Sequence, residues 1–237
     1  MSADKGTSRT VRTGRLGDWA MEEIGKRIVS GQLQPGEQLP TEATLCGELG
    51  MSRTTVREAV KRLHGKGLLD GGPRTGMRVL PTARWNQLDR DVLSWRAESG
   101  LDAALADQLY AVRGCMEPEA CRIAAEHAQQ AERLHILALV GDIAAEGGDL
   151  ASHVAADVAF HLAIFAATGN PFFVTLGEAI RTALELAFRQ SQQRQRMSAA
   201  ELALHGDVAR AIARGRPNSA VRAMKRLLLV SRRSLNG

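Results

Sequence analysis

Leu39 to Val79 reads LPTEATLCGELGMSRTTVREAVKRLHGKGLLDGGPRTGMRV, and this stretch decides the fold of the amino-terminal part. Thr41 can cap a helix whose inner face is Leu45 and Leu49 and which Gly50 stops. Ser52 can cap the next, with Val56, Ala59, Val60 and Leu63 facing inward. Arg53, Thr54, Arg57 and Lys61 then fall mainly on the outer face. Beyond Gly67, Leu68-Leu69 and Met77 to Leu80 read as two short strands joined by the turn residues Gly71-Gly72-Pro73-Arg74-Thr75-Gly76. Upstream, a helix is expected from about Asp18 to Ser30, with Asp18 as its cap, Trp19, Ile24 and Ile28 at helical spacing and Gly31 at its end. Three helices followed by a hairpin make a winged helix-turn-helix.

That second helix opens with two guanidinium groups and three hydroxyls. A helix amino terminus already attracts phosphate through its free N–H groups and dipole. Arg53 and Arg57 lie one turn apart and can read guanine edges or clamp phosphate. Ser52, Thr54 and Thr55 suit backbone phosphates. On an isolated helix this pattern would more often be a solvated face, with Arg57 pairing along the helix to Glu58 or Lys61. The preceding capped helix, the tight turn and the Gly-rich wing reverse that reading. In the wing, Arg74, Thr75, Gly76 and Arg78 can reach the minor groove or its phosphates, Gly76 by letting the backbone come close.

From Trp85 onward the signals are helical, with spans expected at about 86–98, 101–128, 130–146, 149–168, 171–194, 198–214 and 217–234. The fold class is mainly α: a winged head with a small β-hairpin, then an all-α bundle of six or seven helices. The expected boundaries are 1–15 for a flexible arm, 16–80 for the DNA-binding head, 81–85 for a linker and 86–237 for an effector-binding and dimerisation domain. The 237 residues carry a net charge of +5. Residues 1–80 hold 13 Lys/Arg against 9 Asp/Glu, so the head has most of the excess, as a phosphate-binding module should. Cys46, Cys115 and Cys121 form no CxxC pair and read as reduced thiols. There is no apolar leader and no run of membrane-spanning length, so a cytoplasmic protein with no membrane partner is expected.

Two constellations in the helical part can carry chemistry. Arg113 and Glu117 lie one turn apart among Leu109, Val112, Met116 and Ala120; they form a structural ion pair or part of a polar pocket in which Arg113 clamps a carboxylate. His153, Asp157 and His161 follow at steps of four on one helix face, where a carboxylate and an imidazole can chelate a divalent metal, though a surface ion pair is the commoner use. His205 lies on another helix and could complete such a site. No GxSxG, P-loop, GxGxxG or HExxH is present, which argues against an enzyme.

Leu39-Pro40-x-Glu42, Ser52-Arg53-x-x-Val56-Arg57-Glu58-Ala59, Gly67-Leu68 and Gly76-x-x-Val79 resemble the head of GntR-family transcription regulators. Arg113-x-x-x-Glu117, Ala124-Ala125, Asp157-x-x-Phe160-His161, Gly169-Asn170-Pro171 and His205 resemble the FCD ligand-binding domain of the FadR-type branch. Trp85-Asn86-x-Leu88-Asp89-x-Asp91-Val92-Leu93-x-Trp95 is similar to the segment next to the linker in galactonate-responsive regulators. The resemblance implies a homodimer on a pseudo-palindromic operator in double-stranded DNA, contacted by Ser52, Arg53, Thr54, Thr55, Arg57, Arg74, Thr75 and Gly76. It implies a repressor of a sugar-acid operon, released by a small hydroxy-carboxylate bound at Arg113, Glu117, Asp157, His161 and His205. Metal-binding relatives add a fourth ligand near position 227, which here is Leu227. Two arrangements stay open: Asp157, His161 and His205 hold a divalent metal such as zinc completed by ligand oxygens, or they bind a polyhydroxy acid by hydrogen bonds alone, which is slightly favoured. Ala43 departs from the Arg common in relatives and removes a phosphate contact. The competing expectation is a metal-dependent hydrolase of sugar acids or lactones using the same three residues.

Overall fold

The structure, a computed structural model, describes residues 6–72, 75–99, 103–145, 149–194 and 197–236. It divides into two compact units, Met1–Gly100 and Leu101–Gly237. In the first, α1 (Gly6–Val29), α2 (Glu42–Leu49) and α3 (Arg53–Gly65) precede β1 (Leu69–Gly72), β2 (Gly76–Val79) and α4 (Arg90–Glu98). Thr41 Oγ1 accepts from the Thr44 N–H at 3.2 Å and starts α2, which ends at Gly50 with φ of 65°, a left-handed turn that only glycine makes without strain. Ile24, Ile28, Leu45, Val56, Leu63, Leu68, Leu69 and Val79 form the buried core. Each large aliphatic group removed from water contributes roughly 1.5–3 kcal/mol. The strands pair antiparallel from Leu69 opposite Val79 to Gly72 opposite Gly76. Residues 36–39 line the other side of β2, with the Leu39 N–H donating to the Met77 carbonyl at 2.8 Å.

Three expectations for this unit differ from what is found. Residues 6–15, expected within a mobile arm, are helical and continue into α1; the segment contains no proline to stop a helix. Asp18 therefore caps nothing. It lies inside α1 with its carboxylate 2.6 Å from Nη1 of Arg62 on α3. Ile24 and Ile28 face inward as expected, but Trp19 is exposed, and Ala20 and Met21 take its place in the core.

The boundary also moves. Residues 86–98 were expected in the effector domain, yet α4 packs on α1 and the compact units part after Gly100. The reason lies in the side chains. Trp85, Val92 and Trp95 join the core of the head, and a Cβ on Gly25 would overlap the Trp95 ring. Asp89 caps α4 by accepting from the Asp91 and Val92 N–H groups, and it also accepts from Lys66 Nζ at 2.9 Å. Lys66 lies 2.7 Å from Asp91 as well, and the Trp85 indole donates to the Leu80 carbonyl.

The second unit is a bundle of α5 (Ala103–His127), α6 (Gln130–Ala144), α7 (Leu150–Ala166), α8 (Pro171–Arg194), α9 (Ala199–Ala213) and α10 (Pro217–Asn236). Local signals set the helix starts. Asp149 accepts from the Ser152 N–H at 2.8 Å to open α7. Ser198 and Glu201 cap each other's backbone to open α9, a reciprocal arrangement that satisfies two otherwise free N–H groups. α5 packs on α10, α7 on α8, and α9 on both α6 and α10. Phe160, Ile164, Phe165, Leu184, Val208, Ile212, Met224 and Leu227 fill the interior.

Candidate functional site

The amphipathic spacing of α3 buries Val56, Ala59, Val60 and Leu63 and leaves Ser52, Arg53, Thr54 and Arg57 exposed. Ser52 Oγ accepts from the Thr55 N–H at 3.2 Å and lies 2.9 Å from the Thr55 hydroxyl. These two hydroxyls therefore fix the helix start, while Thr54 stays turned to solvent. Arg57 does not pair along its own helix. Its Nε and Nη2 donate to the two carboxylate oxygens of Glu42 on α2, at 3.2 and 3.0 Å. Hydrogen bonding to Arg57 lowers the Glu42 pKa, and the same bond raises that of Arg57. Such a two-pronged hold fixes the guanidinium plane. A cleft of about 810 Å³ lies between α3 and the hairpin, lined by Gln38, Glu42, Arg57, Lys61, His64 and Gly76 among others.

Thr75 and Gly76 lie at the tip of the hairpin; Arg74 is outside the described residues. Gly76 has a φ of 74° and faces the Gln38 side chain, where a Cβ would collide. The positive φ favours glycine here, whereas the Gln38 amide is the end of a flexible, exposed side chain that could move aside. Glu42 was legible as a motif residue but not as the partner of Arg57, because α2 and α3 are brought together only by folding.

In the bundle, five expected residues meet in one buried cluster. Arg113, Glu117, Asp157, His161 and His205 are all at most 4% exposed. Arg113 Nε donates to Glu117 Oε1 at 2.6 Å. Glu117 Oε2 lies 2.7 Å from His161 Nδ1, an ion-pair distance without hydrogen-bond alignment. His161 Nε2 is 3.5 Å and His205 Nε2 3.1 Å from the same Asp157 oxygen. His205 Nδ1 lies 2.9 Å from the Glu201 carbonyl. His153, on the same helix face by spacing, is only half-buried and stands outside the cluster. The set was readable only in part. Tyr110 and Phe188, whose rings lie 4.7 and 4.9 Å from the Arg113 guanidinium carbon, carry no sequence signal for that role.

Burial opposes every charge here, and the partners outweigh it. Burial would raise the Glu117 carboxyl, but Arg113 and His161 hold it down to about 2. Burial would likewise raise Asp157, yet His161 and His205 keep it well below the usual carboxylate range. Burial alone would lower His161; Glu117 and Asp157 raise it instead. Two terminal nitrogens of Arg113 and the Tyr110 hydroxyl find no aligned hydrogen bond among the described residues. Buried polar groups are rarely left so.

The three donors Asp157, His161 and His205 place one ligand atom each within 4.8 Å of one another. The chemistry of this set fits a divalent metal. A carbonyl can only accept, so His205 Nδ1 carries a proton, while its Nε2 faces the Asp157 carboxylate, itself an acceptor. An acceptor facing an acceptor calls for a proton or a cation between them. His161 shows the same orientation, with Nδ1 toward a carboxylate and Nε2 toward Asp157, as metal-bound imidazoles do. Leu227, at the position of the relatives' fourth ligand, is fully buried among apolar side chains and offers no donor.

Comparison with known proteins accords with this division. Residues 17–79 match the bacterial regulatory proteins of the gntR family, and residues 108–229 match the FCD domain. The chain is 32% identical over 209 residues to YieP, an uncharacterized HTH-type transcriptional regulator of Escherichia coli K12, covering 87% of this chain and 90% of that protein. It is 34% identical over 168 residues to the galactonate operon transcriptional repressor of the same organism, covering 71% of this chain and 73% of that one. The solved structure of Lar, which controls expression of the Listeria monocytogenes agr system, superposes with a TM-score of 0.65 at 17% identity over 93% of this chain and 96% of that one, which shows a shared fold. These proteins are transcription regulators, so the hydrolase expectation falls. No described helix is long and apolar enough to cross a membrane. The chain belongs to the GntR family with an FCD domain, and it is a ligand-responsive, DNA-binding transcription regulator.

Proposed function

We propose that this regulator represses a sugar-acid operon and is released by a small aldonate-type hydroxy-carboxylate bound in the bundle. The observation that carries this reading is the fully buried Arg113 with two terminal nitrogens unmatched. A guanidinium held by Glu117 through Nε keeps a fork of donors for a ligand carboxylate. Tyr110 supplies a hydroxyl beside it, and His161 and His205 offer imidazoles to the ligand's hydroxyls. Asp157, His161 and His205 would hold a divalent metal such as zinc, which when bound supplies positive charge for the ligand's oxygens. The relationship to a galactonate operon repressor supports the aldonate class. The tryptophans and aspartates of the Trp85–Trp95 motif themselves seat α4 on the head.

On DNA, Arg53 and Arg57 contact bases or phosphates, Thr54 a phosphate, and Thr75, Gly76 and Arg74 the adjacent groove, while Ser52 and Thr55 orient the helix and present their hydroxyls. The working form is a homodimer on a pseudo-palindromic operator. A thermal-shift series with galactonate, gluconate and non-hydroxylated carboxylates, each with and without chelator, tests the effector reading. Galactonate or gluconate should raise the melting temperature, since ligands that bind only the folded state stabilise it by mass action. Chelator should reduce that rise. A melting temperature unmoved by every aldonate, with metal and without it, overturns the proposal.

A further inference from the structure

The bundle segregates its charge along the sequence. Residues 101–207 carry seven basic and fourteen acidic residues, whereas 208–237 carry eight basic and none acidic. Folding gathers five of those eight around one depression. Arg210 and Arg214 from α9, Arg216 from the turn, and Arg222 and Arg226 from α10 line a surface hollow of about 320 Å³. Asp207 is the one acid in its lining, and it lies 2.7 Å from Arg210. Arg222 donates to the Ser219 hydroxyl at 3.2 Å. The side chains of Arg214, Arg216 and Arg226 have no partner among the described residues.

Two other exposed arginines of the unit are treated differently. Arg122 is bracketed by Glu119 and Glu126, and Arg181 by Glu178 and Glu185, the stabilising spacing on a helix. At the hollow, Arg210 with Arg214 and Arg222 with Arg226 stand four residues apart with like charge, a spacing that repels. The start of the α9–α10 turn is anchored by Arg133, which donates to the Ile212 carbonyl of α9 and to the Ala125 carbonyl near the end of α5. At the other end of α5, Asp107 pairs with Arg232 near the end of α10. The hollow thus lies toward the end of the bundle remote from Ala103; it shares α9 with the Arg113 cluster, whose His205 precedes Arg210 on that helix.

We infer that the α9–α10 hollow is a second ligand site, for a compact anion bearing two or more phosphate charges. Guanidinium forks match phosphate oxygens in pairs. They converge from two helices on a single depression whose volume is at the lower end of small-ligand sites. A polymer backbone would call instead for a line of charges along one face, and this favours the compact ligand over nucleic acid.

Titration calorimetry on the full chain tests this with inorganic pyrophosphate, against sodium chloride at matched ionic strength. Pyrophosphate should bind at one per chain. The double variant Arg214→Gln with Arg222→Gln should weaken that binding at least roughly tenfold. A charge-matched control, Lys225→Gln with Arg233→Gln, replaces exposed cations outside the hollow and should leave it within about twofold. Pyrophosphate indistinguishable from chloride, or equal loss in both double variants, overturns the site. A random-sequence duplex whose affinity falls in the first variant, with no pyrophosphate binding by the parent, would assign the surface to nucleic acid and overturn the compact ligand.

Discussion

Arg57 and Arg113 are each held by a glutamate, yet the two pairs differ in almost every consequence. Arg57 with Glu42 lies at the surface, its side chain 69% exposed. Arg113 with Glu117 is shut away from water on every side. Water screens the first pair, so it orients a side chain and adds little stability. The second has lost its hydration, so each charge depends on the other and on His161. Under the proposed function, one arginine is thereby oriented toward an incoming groove. The other, under the same reading, is a preorganised donor in a buried cluster, where an arriving carboxylate would meet a strong and directional field.

The sharpest way to break this contrast is to remove one member of the buried cluster. Glu117→Gln should cost about 3–5 kcal/mol in urea unfolding, because Arg113 and His161 are left without their counter-charge. A loss below about 1 kcal/mol would mean that water already screens the cluster. The pH dependence of the metal-free protein follows with a definite sign. The Glu117 pKa is lowered from 4.5 to about 2, so its stabilisation is present above about pH 4.5 and is lost as pH falls toward 2. That loss is on the order of 3 kcal/mol and should be missing from Glu117→Gln. His161 is raised from 6.5, so its contribution is complete below pH 6.5 and is lost as pH climbs through its folded value.

Effects at the head should appear in binding rather than folding. Arg53→Ala should weaken operator binding by about 1–3 kcal/mol in a mobility-shift titration while leaving the unfolding midpoint within about 0.5 kcal/mol. A comparable loss of stability would show Arg53 to be a structural residue. Glu42→Gln is the mildest change: about 0.2–1 kcal/mol of stability at low salt, vanishing as salt screens the pair. A salt-independent cost would place that pair in a drier setting than its exposure implies.

The two regions were also unequally legible. The head announces itself in short range: Thr41 and Ser52 cap, Gly50 and Gly76 turn, and Val56 to Leu63 face inward at fixed spacing. The helices of the bundle were readable from Gly169-Asn170-Pro171 and Gly215-Arg216-Pro217, which fall where α7 and α9 give way to α8 and α10. The meeting of Asp157 with His205 was not, because it joins residues 48 apart on different helices, a register set by side-chain packing. The same holds for Phe188 over Arg113 and for Trp95 over Gly25. Tertiary packing also decides the fate of α4, whose sequence reads equally well on either side of a linker.

The central claim is that an effector bound at the Arg113 cluster changes how tightly Arg53 and Arg57 hold DNA. The direct measurement is operator affinity, by fluorescence anisotropy, across a titration with galactonate or gluconate, whichever raises the melting temperature. A coupling of about 1–3 kcal/mol should weaken binding roughly 5- to 150-fold at saturation. Operator affinity that stays constant while the melting temperature shows the effector bound would contradict the account.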